Sequence, residues 1–85
     1  MKKWIKYDNH NKLLNLDHVV TIAISKYTPY KGQTSGYTEK IYCVYVTTIF
    51  DRTEEIVKYT DEKSAKDMLG AIYNFIGDRQ KLFII

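Results

Sequence analysis

Alternating hydrophobic and polar positions in the first third of the chain predict three short strands. The three segments are residues 2–7, 12–16 and 19–27. In the first segment Ile5 and Tyr7 share a face, because successive side chains of a strand point to opposite faces. In the third segment Val20, Ile22 and Ile24 share the face that we expect to enter the core.

A β-hairpin is predicted in the second half of the chain. Residues 39–50 form its long strand, because they are rich in β-branched and aromatic side chains. Residues 51–55 predict its turn, and residues 56–60 predict its returning strand. The long strand is apolar on both faces, and a single helix can cover only one of them. We therefore expect either a partly wet second face or a second copy of the chain over it, and we favour the second copy.

The segment between Asp61 and Gly77 predicts an amphipathic helix. Its apolar side chains recur at three- and four-residue spacing, at Ala65, Met68, Leu69, Ile72, Phe75 and Ile76. Thr60 or Asp61 can cap the N-terminus with a side-chain oxygen, and Gly77 is expected to end the helix. Gly70 falls on the exposed side, where glycine costs about 1 kcal/mol relative to alanine.

These elements predict an α+β fold, in which an antiparallel sheet of four to five strands packs against one helix. We expect residues 1–85 to form a single compact domain, because a chain of this length has room for one small core. Asp-Asn-His-Asn at residues 8–11 predicts a turn between the first two strands. Residues 81–85 either add an edge strand or pack across a subunit boundary.

Composition and charge narrow the classes of function. Hydrophobic residues make up 45% of the chain and charged residues 27%, which argues against disorder. The net charge of +3 rests on lysines, and the densest basic patch is Lys2, Lys3 and Lys6. Nucleic-acid binders cluster Lys and Arg on one face, and only Arg52 and Arg79 are arginines here. Nucleic-acid binding, whose affinity would depend steeply on salt, is therefore the least favoured of the three functional hypotheses that we consider.

The sequence carries no motif for catalysis or metal binding. His10, His18 and Cys43 lack the spacing of zinc motifs, so we expect no metal and no cofactor. The single Cys43 excludes an internal disulfide and is interpreted as a buried small residue. We therefore expect a protein that is not an enzyme. Because a secretory leader and a long apolar span are missing, we expect a cytoplasmic protein with no membrane partner.

A binding site is predicted where tyrosines gather around a loop at residues 28–38. Tyrosine rings can stack on a base, while lysines, hydroxyl groups and an arginine can engage phosphate or ribose. The predicted ligand-binding residues are Tyr27, Tyr30, Lys31, Tyr37, Tyr45 and Arg52. The alternative interpretation is a solvated loop whose tyrosines lie flat on the sheet.

Three stretches give the chain a resemblance to small single-domain proteins of phages and prophages. They are WIK at residues 4–6, LNLDHV at residues 14–19 and the capped helix start DEKSAK at residues 61–66. In size, compactness and expected self-assembly the chain resembles the anti-defence proteins that act as nucleotide sponges. The resemblance implies a homo-oligomer that sequesters a nucleotide-derived immune signal in a pocket between subunits without cleaving it. A phage-encoded protein of this kind would act in the host cell cytoplasm.

A second hypothesis, from a different class, is a protein–protein inhibitor or adaptor. Such a protein would dock on a host protein through an exposed sheet face or through the edge formed by residues 82–85. This hypothesis predicts a stable complex with one host protein and indifference to nucleotides. The first hypothesis predicts instead that a small molecule binds between subunits.

Overall fold

Six strands and one α-helix are formed by the residues that the structure describes, and the fold is α+β as predicted. The structure is a computed structural model, and it describes residues 2–28 and 40–85. The elements in chain order are β1 (Trp4–Tyr7), β2 (Lys12–Asn15), a 3-10 turn (Leu16–His18), β3 (Val19–Tyr27), β4 (Ile41–Thr48), β5 (Thr53–Tyr59), α1 (Glu62–Ile76) and β6 (Leu82–Ile84). The strands divide into two sheets of three, so the prediction of one sheet with four to five strands is wrong.

The pairing of the two ends of the chain creates the second sheet. β1 lies between β2, which is antiparallel to it, and β6, which is parallel to it, and we call this trio the small sheet. β3, β4 and β5 form an antiparallel meander that we call the large sheet. The 3-10 turn redirects the chain between β2 and β3, so the chain changes sheets there. Of the two alternatives for residues 81–85, the structure takes the edge strand within the chain.

Left-handed backbone conformations fix two tight turns. Residues 8–10 have φ angles between 53° and 68°, in the turn that the sequence predicts between the first two strands. Asp51 has a φ of 58° and donates its backbone N–H to the Thr48 carbonyl at 3.1 Å. Because this turn closes so soon after β4, β5 begins at Thr53, three residues earlier than predicted.

Both sheets and the helix contribute to one core. Its buried side chains are Ile5, Tyr7, Val44, Val46, Ile56, Ala65, Ile72 and Phe75. The small sheet contributes Ile5 and Tyr7 to this core. The two side chains lie on the same face of β1, which confirms the alternation predicted for this strand. The helix buries its apolar stripe against the large sheet, but Ile76 at the end of that stripe is exposed.

The first residues of β3 depart from the predicted alternation. The pairing of β3 with β4 shifts register between Val19 and Thr21, which places a bulge at Val20. Val19 packs against the core, whereas Val20 is 64% exposed. Ile22 and Ile24 pack against the core as predicted. The prediction for Val20 is therefore wrong, because the extra residue of a bulge interrupts the two-residue period of a strand.

Different hydrogen bonds cap the two termini of the helix. At the N-terminus the Asp61 carboxylate accepts hydrogen bonds from the Ser64 backbone N–H at 2.8 Å and from its hydroxyl at 2.9 Å. These two bonds, the backbone one first, hold the pKa of Asp61 below its usual value. At the C-terminus Gly77 has a φ of −86°, so this position does not use the left-handed freedom of glycine. Lys3 binds there instead, and its ammonium donates to the carbonyls of Phe75, Asp78 and Gln80.

Candidate functional site

Within one copy of the chain, the described members of the predicted ligand-binding set, which are Tyr27, Tyr45 and Arg52, do not all lie together, and a pocket between subunits stays a prediction. Tyr27 and Tyr45 share the face of the large sheet that points away from α1, which we call the open face. Tyr45 pairs with Ala23, four residues before Tyr27, so the two tyrosines stand roughly 13 Å apart along the sheet. Tyr30, Lys31 and Tyr37 lie outside the described residues.

Arg52 lies away from the two tyrosines. Its carbonyl accepts a hydrogen bond from the Thr48 N–H at 2.9 Å, which sets it opposite a residue on the helix side of the large sheet. Arg52 is exposed and adds to the positive charge around Glu54. The pKa of Glu54 is lowered mainly by hydrogen bonds from Lys12 and Tyr7, and less by the charge of Arg52. Arg52 therefore belongs to a polar cluster on another face of the molecule.

The cavity nearest to Tyr45 is small. It has a volume of about 180 Å³ and is lined by Ser25, Cys43, Tyr45, Thr53 and Glu55. Pockets that enclose small molecules usually measure about 300–1,000 Å³. Cys43 is 1% exposed, and burial, followed by a hydrogen bond with Glu55, raises the pKa of its thiol to about 12. The thiol therefore stays protonated near neutral pH, and the prediction of a buried small residue is confirmed.

The open face is less exposed than the sequence suggests. Tyr27, Ile41, Tyr45 and Thr47 are all half-buried. Hydrogen bonding with Tyr27, followed by the negative charge of Glu55, raises the pKa of Lys58 on the same face. Because these side chains are partly covered, the described residues of the open face do not form a large exposed apolar patch. Its coverage by a second copy stays a prediction.

A larger groove lies between the first half of β3 and the end of α1. It has a volume of about 760 Å³, and its apolar walls include Val20, Ile22, Tyr73 and Ile76. We call it the β3–α1 groove. The sequence did not predict it, because Val20 was assigned to the core and Tyr73 stands outside the apolar stripe of the helix. The exposed Tyr73 ring was the available signal, although one exposed tyrosine is common on protein surfaces.

Charged groups at the rim give the β3–α1 groove its electrostatic character. Lys3, Asp17 and Asp78 line it together with the apolar walls. The Lys3 ammonium has three N–H donors, and all three form hydrogen bonds with carbonyl oxygens, at 2.8, 2.5 and 2.6 Å. The two carboxylates therefore dominate the rim. Such a groove suits an apolar or cationic group better than a phosphate.

The outer face of the small sheet, defined by Trp4, Lys6, Leu13, Leu82 and Ile84, carries an exposed apolar patch. The strand register places Lys6 between Leu13 and Ile84, and places Trp4 next to Leu82. Leu13, Leu82 and Ile84 are 55%, 43% and 53% exposed. A sheet with one face in the core normally has polar side chains on its other face. The exposed aliphatic side chains here therefore indicate an interaction surface.

No group of three or more metal-ligating side chains occurs among the described residues. Within the same ranges, none of the helical structure has the length and apolar character needed to span a bilayer. A comparison of the chain with known proteins finds no matching family model, no matching curated protein and no matching solved structure.

Proposed function

We propose that this chain is a non-catalytic protein-binding module that docks on another protein through the outer face of the small sheet. The observation that carries the proposal is the exposure of Leu13, Leu82 and Ile84 on one side of a three-stranded sheet. The other side of this sheet is already buried, because Ile5 and Tyr7 belong to the core. Transfer of three aliphatic side chains out of water is a favourable contribution to binding.

The chemistry of the outer face defines the kind of partner. Lys6 stands in the middle of the apolar side chains, and no carboxylate pairs with it among the described residues. Trp4 adds an aromatic ring, a residue type that often carries much of the binding energy at protein interfaces. A partner with aliphatic side chains around an aspartate or glutamate would match this surface. A nucleic-acid backbone fits this surface less well, because Lys6 is the one cationic side chain among the five residues that define it.

The test is site-specific cross-linking followed by binding measurements. A photo-reactive amino acid at position 13 identifies the partner in cells that contain this protein, and the purified pair is then measured by calorimetry. We expect Leu13→Asp to weaken binding more than about tenfold. Lys6→Glu should also weaken it, because the partner is expected to present a carboxylate.

Ile49→Asp is the matched control for Leu13→Asp. Ile49 is 57% exposed, as Leu13 is 55% exposed, but it lies in the turn after β4 and away from the outer face. We expect Ile49→Asp to bind the partner like the unmodified chain. Equal binding by the Leu13→Asp and Ile49→Asp variants would exclude the outer face as the docking surface.

Sequestration of a nucleotide-derived signal is a second candidate function. The observation in its favour is the volume of the β3–α1 groove, about 760 Å³, which is within the usual size of ligand pockets. The rim carboxylates and the occupied Lys3 donors count against a phosphate there. Calorimetry with cyclic dinucleotides and cyclic ADP-ribose tests this function, and binding near one ligand per subunit or per interface is the result it requires.

A further inference from the structure

The two edges of the large sheet differ in how they are protected. The edge strand β5 contains Glu54, Glu55 and Lys58 and has an irregular register opposite Val44 and Tyr45. Charges and bulges on an edge strand discourage pairing with another chain. The opposite edge strand, β3, has nine residues and a single charged side chain, Lys26. Its bulge is confined to Val20, and the pairing from Thr21 onward is regular.

The outer edge of β3 has no strand beside it within residues 2–28 and 40–85. The β3–α1 groove runs along the first half of this edge, with Val20 and Ile22 on one side and Tyr73 and Ile76 on the other. Val20 is 64% exposed there. An added strand would satisfy the backbone groups of the edge and cover the groove walls at the same time.

We propose that the occupant is a second copy of this chain, paired antiparallel through β3 about a two-fold axis at Ala23. Ala23 is the midpoint of the nine residues of β3, so this register pairs the regular part of the strand around it, with Thr21 of each copy opposite Ser25 of the other. It also brings the bulged Val20 of each copy beside Lys26 of the other. The result is a continuous six-stranded sheet with both helices on one face.

Charge complementarity supports this occupant. Lys26 pairs with Tyr42, which packs against the core, so its side chain lies on the helix side of the sheet. The two-fold axis therefore brings Lys26 of each copy to the β3–α1 groove of the other. Asp17 and Asp78 line that groove together with Lys3, so its lining carries two negative charges against one positive charge and favours a further cation. Each copy completes the groove of its partner with an ammonium group.

The register adds one further favourable contact and no repulsive one along the strands. Thr21 and Ser25 lie on the open face, opposite each other across the axis, and hydroxyl pairs of this kind stabilise neighbouring strands. The only charged side chain of β3 meets an apolar residue rather than its own copy. A dimer of this kind does not depend on docking through the outer face, because the outer face lies on the small sheet.

Sedimentation equilibrium over a wide range of protein concentrations tests the proposal, and we expect a dimer. Val20→Lys adds an ammonium group beside Lys26 of the partner at two equivalent places. It should raise the dimer dissociation constant about tenfold or more. The variant should still fold, because Val20 is exposed. Lys26→Glu in the Val20→Lys background sets opposite charges side by side and should restore part of the association, because it also gives up the attraction of Lys26 to Asp17 and Asp78.

Ile49→Lys is the control, because it adds the same charge at a position that is 57% exposed but lies in the turn after β4, outside both the β3 edge and the outer face. It should leave the dimer unchanged. A folded chain that stays monomeric at every concentration would overturn the proposal. So would a dimer that Val20→Lys does not weaken, or a double variant that stays monomeric. Partner binding by the Val20→Lys monomer is measured separately, so failure of the dimer and failure of outer-face docking are told apart.

Discussion

At the scale of single residues, Lys3 links the start of the chain to the end of the helix. Its Nζ donates to the carbonyls of Phe75, Asp78 and Gln80 at 2.8, 2.5 and 2.6 Å. The same ammonium stands 4.6 Å from the centre of the Phe75 ring, a favourable cation–π distance. Of the three carbonyls, that of Phe75 belongs to α1, and it also accepts the Asp78 N–H at 3.1 Å, so Lys3 adds a charged side-chain cap to a backbone one.

Lys3→Met should lower the free energy of unfolding by about 1–3 kcal/mol. Methionine keeps much of the aliphatic stem but leaves the carbonyl oxygens without their charged donor. Urea denaturation followed by circular dichroism measures the loss. Lys2→Met is the control, because Lys2 is exposed and the hydrogen bonds described above all belong to its neighbour. Equal stability of the two variants would show that Lys3 is not the cap.

At the scale of elements, α1 contains a position where its sequence can be improved. Gly70 lies in the middle of the helix, and a Cβ built there meets nothing within 4 Å. Glycine in a helix interior has more backbone freedom to lose on folding than alanine has. Nothing in the described part of the chain therefore requires a glycine at this position.

Gly70→Ala should raise the free energy of unfolding by about 1 kcal/mol. The urea midpoint should increase, while the slope of the transition stays the same. Gly77→Ala, at the end of the helix, is the comparison and should change stability less, because Gly77 lies outside the helix interior. A decrease in stability, or a loss of self-association in Gly70→Ala, would indicate that another backbone approaches this position.

At the scale of the whole molecule, backbone hydrogen bonds join the first and the last strand of the fold. The Trp4 N–H donates to the Lys81 carbonyl at 2.8 Å, and the Ile85 N–H donates to the Lys6 carbonyl at 2.9 Å. Phe83 of β6 packs against the core, with its ring centre 5.3 Å from that of Phe75 in α1. The last strand therefore joins the small sheet to the helix.

Phe83→Ala should destabilise the chain by about 2 kcal/mol, because it removes a half-buried ring from the contact between β6 and α1. Leu82→Ala should cost clearly less, because Leu82 is on the outer face and 43% exposed. Urea denaturation of the two variants gives the comparison. Similar losses for both would mean that β6 contributes little to the core.

The candidate binding surfaces also belong to this scale. The outer face combines residues from β1, β2 and β6, and the β3–α1 groove combines residues from both halves of the chain. The sequence places Tyr27, Tyr45 and Arg52 in one predicted ligand-binding set, whereas the structure puts the two tyrosines on the open face and Arg52 elsewhere. Nearness in sequence around a loop does not set which face of a sheet a residue occupies, because strand register does.

The sequence by itself determined the local elements. The span of β3, the turn at residues 8–10 and the capped helix from Glu62 to Ile76 follow from periodicity, capping and turn chemistry, which act over a few residues. The shared face of Ile5 and Tyr7 and the burial of Cys43 follow in the same way from their positions in alternating or apolar strands.

Only the tertiary structure decided how those elements combine. The parallel pairing of β6 with β1, the division into two sheets and the bulge that exposes Val20 depend on contacts between distant parts of the chain. Such pairings are chosen by the packing of the whole core, and local sequence patterns do not encode them. The exposed outer face, and the edge of β3 that no strand of the described residues covers, are consequences of that combination.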